Sequence, residues 1–474
     1  MITRSVIKFS LMKSKWIKLF LMILLLFPGG AALAQDNPPD GPVYIVQSGD
    51  TLWDISQRFG VSMDDLIQVN GIADPGALKA GDQLIIPGLQ GIQGILQTET
   101  VGFGETLRSL SRRYQVPEAF LLRLNHITSS VELYAGANLI IPKQDSENLG
   151  KRVFIGSGQS LLEMAILQGT DPWTVVRNNQ LLGTWDAIPG DVLVVPGDES
   201  QGPGALPGTI TDIEITPLPL VQGETTEFKI QAEAGITFGG TLMAHDLHFF
   251  SDGVGSYVAL QGVHAMADPG LYPLTIRGAS EDGVQFGFTQ MIFVRDGGYF
   301  VDPPLVVDPA TIDPEVTKPE DAQWNALAAP VTPDKLWNGE FSVPVAQIFA
   351  DCWPSLYGNR RSYNDGEYLY FHTGLDFCGS VGNDIYAPAD GVVVFSGPLT
   401  VRGNATMIDH GWGVYTAYMH QSEILVQVGD HVSSGQLIGK VGATGRVTGP
   451  HLHWEVWAGG VQVNPMDWLE KVFP

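Results

Sequence analysis

Toward the C-terminal end of the chain, His372-Thr-Gly-Leu-Asp376 is followed by His451-Leu-His453. Imidazole, carboxylate and imidazole form the ligand set of an open, hydrolytic zinc site. Three protein ligands leave a fourth position for water, and zinc lowers the pKa of that water toward neutrality. His451 and His453 are two residues apart, so on a β-strand both point to one face. One can hold the metal while the other faces the solvent ligand. The chemistry that this arrangement supports is hydrolysis at ordinary pH.

The surrounding sequence, from about 341 to 474, consists of short strands and glycine turns with almost no helix. Residues 384–395 predict a strand-turn-strand, 414–419 and 451–456 alternate, and only the last residues look briefly helical. His410 reads as a turn residue and His431 as exposed. His372-x-x-x-Asp376, Tyr418-Met-His420, Val428-Gly-Asp-x-Val432, Gly435-Gln-x-Ile438 and Gly449-Pro-His-Leu-His453 occur in this order. Together they resemble the lysostaphin-type zinc endopeptidase family, whose members cut peptide bonds in bacterial peptidoglycan.

The resemblance implies one Zn2+ per catalytic domain, held by His372, Asp376 and His453. It implies His451 as general base and His420 as the second catalytic histidine, stabilising the oxyanion or assisting proton transfer. Glu455 follows His453 by two on the same strand face, so it reads either as a partner orienting an imidazole or as a surface charge. The chain departs from the family pattern at Cys378 and in a long polar insert over 352–370.

At 474 residues the chain is too long for one core. Residues 1–34 read as a signal peptide, with a basic start (Arg4, Lys8, Lys13, Lys15, Lys18), an apolar run over 19–27 and Ala32-Leu33-Ala34 before the cut. An uncleaved anchor is the alternative; no later stretch is apolar enough to span a bilayer, so no stable span is expected after cleavage. The net charge is −25, and loss of the five leader cations takes it to −30. Such a charge excludes non-specific binding to nucleic acid or anionic lipid. Cys352 and Cys378 are the two cysteines, and export favours a disulfide between them over two buried thiols.

The N-terminal part repeats. Val46-Gln-Ser-Gly-Asp-Thr-Leu52 recurs at 101–107 and 155–161, Asn70 at Asn125 and Asn179, and Leu84-Ile-Ile-Pro87 at 139–142 and 193–196. Each landmark moves by 55 and then by 54 residues. Within the first unit, 44–46 predicts a strand, Asp50 or Thr51 an N-cap, Leu52, Ile55 and Phe59 one helix face ended by Gly60, 64–69 a second helix and 83–86 a closing strand. This strand-helix-helix-strand pattern resembles the LysM module over 44–88, 98–143 and, more divergently, 151–197.

That resemblance implies binding of N-acetylglucosamine glycans such as peptidoglycan. The contacts would come from the loops at Gly49, Asp50, Thr51 and Asn70 in the first unit and at Gly104, Thr106 and Asn125 in the second. Capping and turn roles for Asp50 and Asn70 are expected alongside. Tandem units would raise effective concentration on a polymer.

Residues 208–300 show alternating short strands and predict an all-β, immunoglobulin-like sandwich serving as spacer or binding module. His245 and His248 are three apart there and would face opposite sides. Residues 301–340, rich in Pro and acidic groups, predict an extended linker before the zinc endopeptidase domain at 341–474. The expected fold class is therefore multidomain: three small α+β (βααβ) modules, an all-β sandwich and a mostly antiparallel β catalytic domain. The expected protein is a monomer, secreted to an extracellular, cell-wall or periplasmic setting, that hydrolyses peptidoglycan peptides. The competing expectation is a non-catalytic wall-binding activator of another hydrolase.

Overall fold

The structure, a computed structural model, describes residues 41–89, 92, 94–143, 150–198, 201–280, 285–366 and 369–474. The leader expected at 1–34 lies outside them. Among the described residues no helix is long and apolar enough to cross a membrane. The chain forms two compact units, Met1–Ile95 and Leu96–Pro474.

In the first unit β1 (Val43–Ile45) pairs antiparallel with β2 (Gln83–Ile85), and α1 (Leu52–Phe59) and α2 (Met63–Asn70) lie between them in sequence. Thr51 rather than Asp50 caps α1, in a reciprocal capping box with Asp54. Gly60 ends α1 in the left-handed conformation, with φ of 60°. The helix faces predicted from Leu52, Ile55 and Phe59 are buried.

The second unit begins with two more βααβ elements. One comprises β3 (Ile95–Thr100), α3 (Leu107–Tyr114), α4 (Glu118–Leu124) and β4 (Asn138–Lys143). The other comprises β5 (Lys151–Phe154), α5 (Leu161–Leu167), α6 (Pro172–Asn178) and β6 (Val192–Val195). In all three repeats the recurring asparagine does the same work. Asn70, Asn125 and Asn179 each donate to a carbonyl one turn back in their helix and bond both the N–H and C=O of a residue in the closing strand. A repeat too small for a large core is thus stapled by one side-chain amide.

Two sheets follow. β7 (Ile210–Thr216), β9 (Thr225–Ala232), β12 (Phe250–Ser251) and β13 (Ser256–Gly262) form one; β8 (Leu220–Val221), β10 (Thr237–Leu242), β11 (His245–His248), β14 (Gly270–Ala279) and β15 (Gln285–Arg295) form the other. They share a core that includes Phe228, Ile230, Leu274 and Ile292.

The expectation of an extended 301–340 linker is wrong. Residues Pro314–Ala328 form a helix, α7, whose Trp324 is fully buried. Asp313 caps it by accepting from the Glu315 N–H, and Pro314 occupies the first turn, where its missing N–H costs nothing. Proline content argued for extension, but here one proline starts the helix and Pro319 is accommodated inside it. The preceding sheets are not a free spacer either. Val258 and Leu260 of β13 share a core with Leu375 and Trp454, Phe250 stacks on Trp412 at 4.8 Å, and Trp468 Nε1 donates to Thr225 Oγ1.

In the C-terminal part β16 (Arg360–Arg361) pairs with β17 (Tyr370–Phe371), and a larger antiparallel sheet runs in the order β18 (Leu375–Cys378), β26 (His451–Ala458), β22 (Val414–Gln421), β21 (Gly403–Gly411), β20 (Gly391–Leu399), β24 (His431–Val432), with β27 (Val461–Val463) on β26. A smaller sheet joins β19 (Asp384–Tyr386), β25 (Leu437–Lys440) and β23 (Glu423–Ile424), and α8 (Pro465–Glu470) closes the chain. Strand alternation divides the large sheet into two buried faces. Val414, Tyr418, Leu452, Trp454 and Val456 enter one core; Tyr415, Ala417, Met419 and Trp457 enter another, beneath α7. His410, expected in a turn, lies instead in β21 and is fully buried, with Nδ1 on the Asp390 carbonyl and Nε2 on Thr416 Oγ1. His431 is exposed.

Candidate metal centre and glycan loops

The β18–β26 register sets Asp376 opposite His453 and Cys378 opposite His451. Opposite residues of an antiparallel pair share a face, so Asp376, His451 and His453 all point one way. His372 reaches the same point from four residues upstream. The turn between them needs glycine at 374, because a Cβ there would lie 2.3 Å from the Trp454 carbonyl oxygen and 2.8 Å from His453 Nε2.

His372 Nε2 lies 3.0 Å from Asp376 Oδ1 and 3.0 Å from His453 Nδ1, and His453 Nδ1 lies 2.9 Å from Asp376 Oδ1. Donors around a tetrahedral zinc, with bonds near 2.1 Å, stand about 3.4 Å apart. The triangle is therefore the right size to close on such an ion with a slight spreading. His372 Nδ1 donates to the Leu356 carbonyl at 2.8 Å, which leaves Nε2 as the lone-pair atom facing the cluster.

Burial pulls the His372 pKa down to about 4, which keeps the imidazole neutral. Burial would raise Asp376, but His372 and His453 hold it well below the usual carboxylate range. Burial would lower His453, yet Asp376 and Glu455 on its two sides raise it instead. A proton on His453 is what a cation in the triangle would displace.

His420 and His451 border the open side. Their ring centroids are 5.0 Å apart, and His451 Nε2 is 3.6 Å from Asp376 Oδ1. His451 Nδ1 bonds the Gly449 carbonyl and His420 Nδ1 the Thr444 carbonyl, each at 2.8 Å. Both rings therefore carry their N–H away from the site at Nδ1, and the free nitrogen of each is Nε2. Burial first, then the neighbouring His453 and His451, press the His420 pKa down to about 3. His420 holds a left-handed backbone with φ of 60°, which non-glycine residues adopt only under constraint.

Glu455 is buried, not a surface charge, and its Oε1 lies 3.4 Å from His453 Nε2. Burial would raise its pKa; the hydrogen bond from His453 and that imidazole's charge bring it down to about 2.

Residues absent from the sequence reading also converge here. Arg361, in the polar insert, donates to Ser355 Oγ at 2.8 Å, stands 3.8 Å from Asp376 Oδ2 and pairs with Asp302. Ser355 Oγ in turn is 3.2 Å from His372 Nδ1. No spacing in the sequence links these residues to the site. Cys352 and Cys378 are joined in a disulfide that ties the insert to β18. A cleft of roughly 690 Å³ opens over the cluster, rimmed by His264, Met266, Leu305, Tyr363, Tyr370 and Arg446.

The glycan loops fare differently in the two repeats. In the first, Gly49 turns with φ of 90° and nothing crowds it. The Asp50 carboxylate is already bound by the Tyr44 hydroxyl, the Gln47 N–H and Arg58; Thr51 caps α1 and Asn70 is the staple. Burial and Asp50 push the Tyr44 pKa up to about 12.

In the second repeat the expected sugar loops are not free. Gly104 donates to Gln290 Oε1 and its carbonyl accepts from the Ala205 N–H. Phe103 packs edge-on against Phe288 at 5.4 Å. Across the would-be groove, the Ala135 N–H bonds the Met291 carbonyl and the Leu133 carbonyl accepts from Gln290. Thr106 is an N-cap and Asn125 the staple. Strand β15 and residues 203–206 thus pack over the Gly104 loop, where the sequence places a sugar contact.

Residues 370–465 match the model of peptidase family M23, and 44–87 and 100–142 match the LysM domain. The chain carries an M23 peptidase domain and LysM domains. The LysM model matches two repeats, not three; the third βααβ unit at 151–195 shares their architecture and asparagine staple. The M23 domain is 48% identical over 95 residues to the peptidoglycan DD-endopeptidase ShyA of Vibrio cholerae, covering 20% of this chain and 22% of that protein. It is 47% identical over 95 residues to the DD-carboxypeptidase/endopeptidase Mpg of Neisseria meningitidis, again 20% and 22%. Among solved structures it is similar to the catalytic domain of the prophage-encoded M23 protein EnpA from Enterococcus faecalis, at 33% identity, 27% of this chain, 95% of that one and a TM-score of 0.24. The chain thus covers about a fifth of the length of the curated relatives it matches.

Proposed function

We propose that this protein is a zinc-dependent endopeptidase that hydrolyses D,D peptide bonds in peptidoglycan after export from the cytoplasm. The observation that carries the reading is the His372, Asp376 and His453 triangle, three buried donor atoms within 4.8 Å of one another beside two further imidazoles. The D,D bond is taken from the names of the matched peptidoglycan endopeptidases.

Bound in the triangle, zinc supplies Lewis-acid polarisation of a peptide carbonyl and a nucleophile at neutral pH. The chain's own groups do the rest. His451, anchored through Nδ1 to Gly449, presents Nε2 as the base that takes a proton on the open side. A neutral His420, anchored in the same way to Thr444, presents an acceptor; it becomes an oxyanion donor at Nε2 only once it has taken a proton. Glu455 holds His453 in the tautomer with Nδ1 free for the metal.

The first LysM repeat is the one proposed to hold N-acetylglucosamine glycan, through the backbone of the loops at Gly49, Asp50, Thr51 and Asn70, since the Asp50 and Asn70 side chains are already engaged within the repeat. We take the two packed sheets at 210–295 as the expected sandwich; they form one wall of the cleft through His264 and Met266.

The test is mass spectrometry of defined cross-linked muropeptides incubated with the purified chain. Conversion of dimers to monomers, blocked by a chelator, restored by zinc and lost in His453→Ala, is expected. A chain that stimulates another hydrolase while leaving dimers intact would instead be a non-catalytic activator.

A further inference from the structure

The M23-matched segment begins at residue 370, yet the carboxylate behind His453 is held from outside it. Glu455 is a buried anion with about four acceptor sites. Besides His453 and the Thr373 hydroxyl, three N–H donors reach it: Trp324 Nε1 at 3.1 Å and Trp457 Nε1 at 2.9 Å on Oε2, and Gln462 Nε2 at 3.0 Å on Oε1. Trp324 belongs to α7.

One turn earlier on the same helix face stands Glu320. Its carboxylate accepts from the backbone N–H groups of Thr400, Val401 and Arg402, at 2.8, 2.9 and 3.0 Å, and pairs with the Arg402 guanidinium. The Arg402 carbonyl then accepts from the His420 N–H at 3.0 Å, where the backbone is left-handed. The Arg402 guanidinium also lies over the Trp324 ring, 5.1 Å from its centroid.

We propose that α7 positions both sides of the metal centre: Trp324 fixes His453 through Glu455, and Glu320 fixes His420 through the 400–402 loop. The proposal rests on the zinc-endopeptidase reading. Apolar cover for the sheet would need only a large hydrophobic residue at 324. It would not need an N–H aimed at the carboxylate that backs His453 at Nε2, nor a carboxylate capping the loop that holds His420. Trp324 and Glu320 are positioning residues, since neither faces the cleft side of the triangle.

The experiment compares the full chain with Trp324→Phe, which keeps an aromatic ring and removes the N–H. Zinc affinity is read by competition with a fluorescent chelator, and the His453 tautomer by 15N NMR on the metal-free protein at alkaline pH, where His453 has shed its second ring proton. The expected result is a 10–100-fold loss of zinc affinity and a loss of the pure Nε2–H signature, with the thermal transition retained. Zinc affinity within twofold and an unchanged tautomer overturn the proposal. If the unaltered chain binds no zinc, the endopeptidase reading falls, while the tautomer comparison still decides the role of Trp324. If Trp324→Phe does not fold, Glu320→Gln decides: kcat lower by about tenfold at unchanged zinc affinity supports the proposal, and unchanged kcat overturns it.

Discussion

Asp376 and His453 face each other as Cα partners across β18 and β26, with Oδ1 and Nδ1 2.9 Å apart. Sheet register, not loop conformation, therefore sets two of the three donor atoms of the triangle. Replacing Asp376 by Asn keeps shape and register but removes the buried anion that offsets a cation. Zinc affinity should fall by more than the roughly 100-fold upper end typical of groups that merely support a ligand. Calorimetric zinc titration checks this, and near-normal binding would remove Asp376 from the ligand set.

Gly104 lies under residues 203–206 with φ of 88°, and a Cβ there would meet Pro203 Cβ at 2.6 Å and Leu206 Cδ1 at 2.7 Å. Gly104→Ala should cost on the order of 2 kcal/mol, from backbone strain plus overpacking. Retention on insoluble peptidoglycan should nonetheless stay at the level of the unaltered chain, because that loop does not face solvent. A pull-down that falls along with the substitution would return the sugar role to the second repeat.

The metal cluster was legible because its residues sit on strands whose two-residue period fixes direction. His451 and His453 share a face by arithmetic, and the recurring asparagine sat at constant spacing in each repeat. What escaped was tertiary. Trp324, Glu320, Ser355 and Arg361 act through neighbours distant in sequence, and nothing local to them signals it. Composition misled at 301–340, where proline content outweighed the Asp313-Pro314 helix start and the apolar Trp324, Leu327 and Ala328. His410 reads as a turn residue in the sequence, whereas its hydrogen bonds to Asp390 and Thr416, both distant from any local pattern, let a polar ring lie in a buried strand.

The Cys352–Cys378 disulfide closes a loop across a separation of 26 residues and bears on the site, since the loop carries Ser355, Leu356 and Arg361. A loop of that length corresponds to about 3.5 kcal/mol of chain-entropy stabilisation. The double replacement Cys352→Ser with Cys378→Ser should therefore lower the unfolding midpoint of this unit in guanidinium. It should also weaken zinc binding, because the Leu356 carbonyl that orients His372 loses its tether. An unchanged midpoint would mean that the insert is held by its hydrogen bonds alone.

His410 gives the chain an acid-sensitive core. Burial pulls its pKa down to about 4, from an ordinary value near 6.5. Above pH 6.5 neither the folded nor the unfolded state binds the proton, and the full stability is present. As pH falls below that value the unfolded chain takes the proton and the folded protein does not. Stability then drops by about 1.4 kcal/mol per pH unit, reaching a loss of about 3 kcal/mol near pH 4, where the folded state also protonates and the decline stops. His372 and His420, both pulled down by burial, add losses of the same sign in metal-free protein. Comparison with His410→Gln isolates the single contribution, because the glutamine amide offers both N–H donors and an acceptor oxygen without titrating. Urea midpoints measured from pH 7.5 to 4.5 should fall more steeply for the unaltered chain, so that its advantage over the variant shrinks with acid. Parallel curves would mean that His410 titrates alike in both states, and that its burial between β20 and β22 carries no proton linkage.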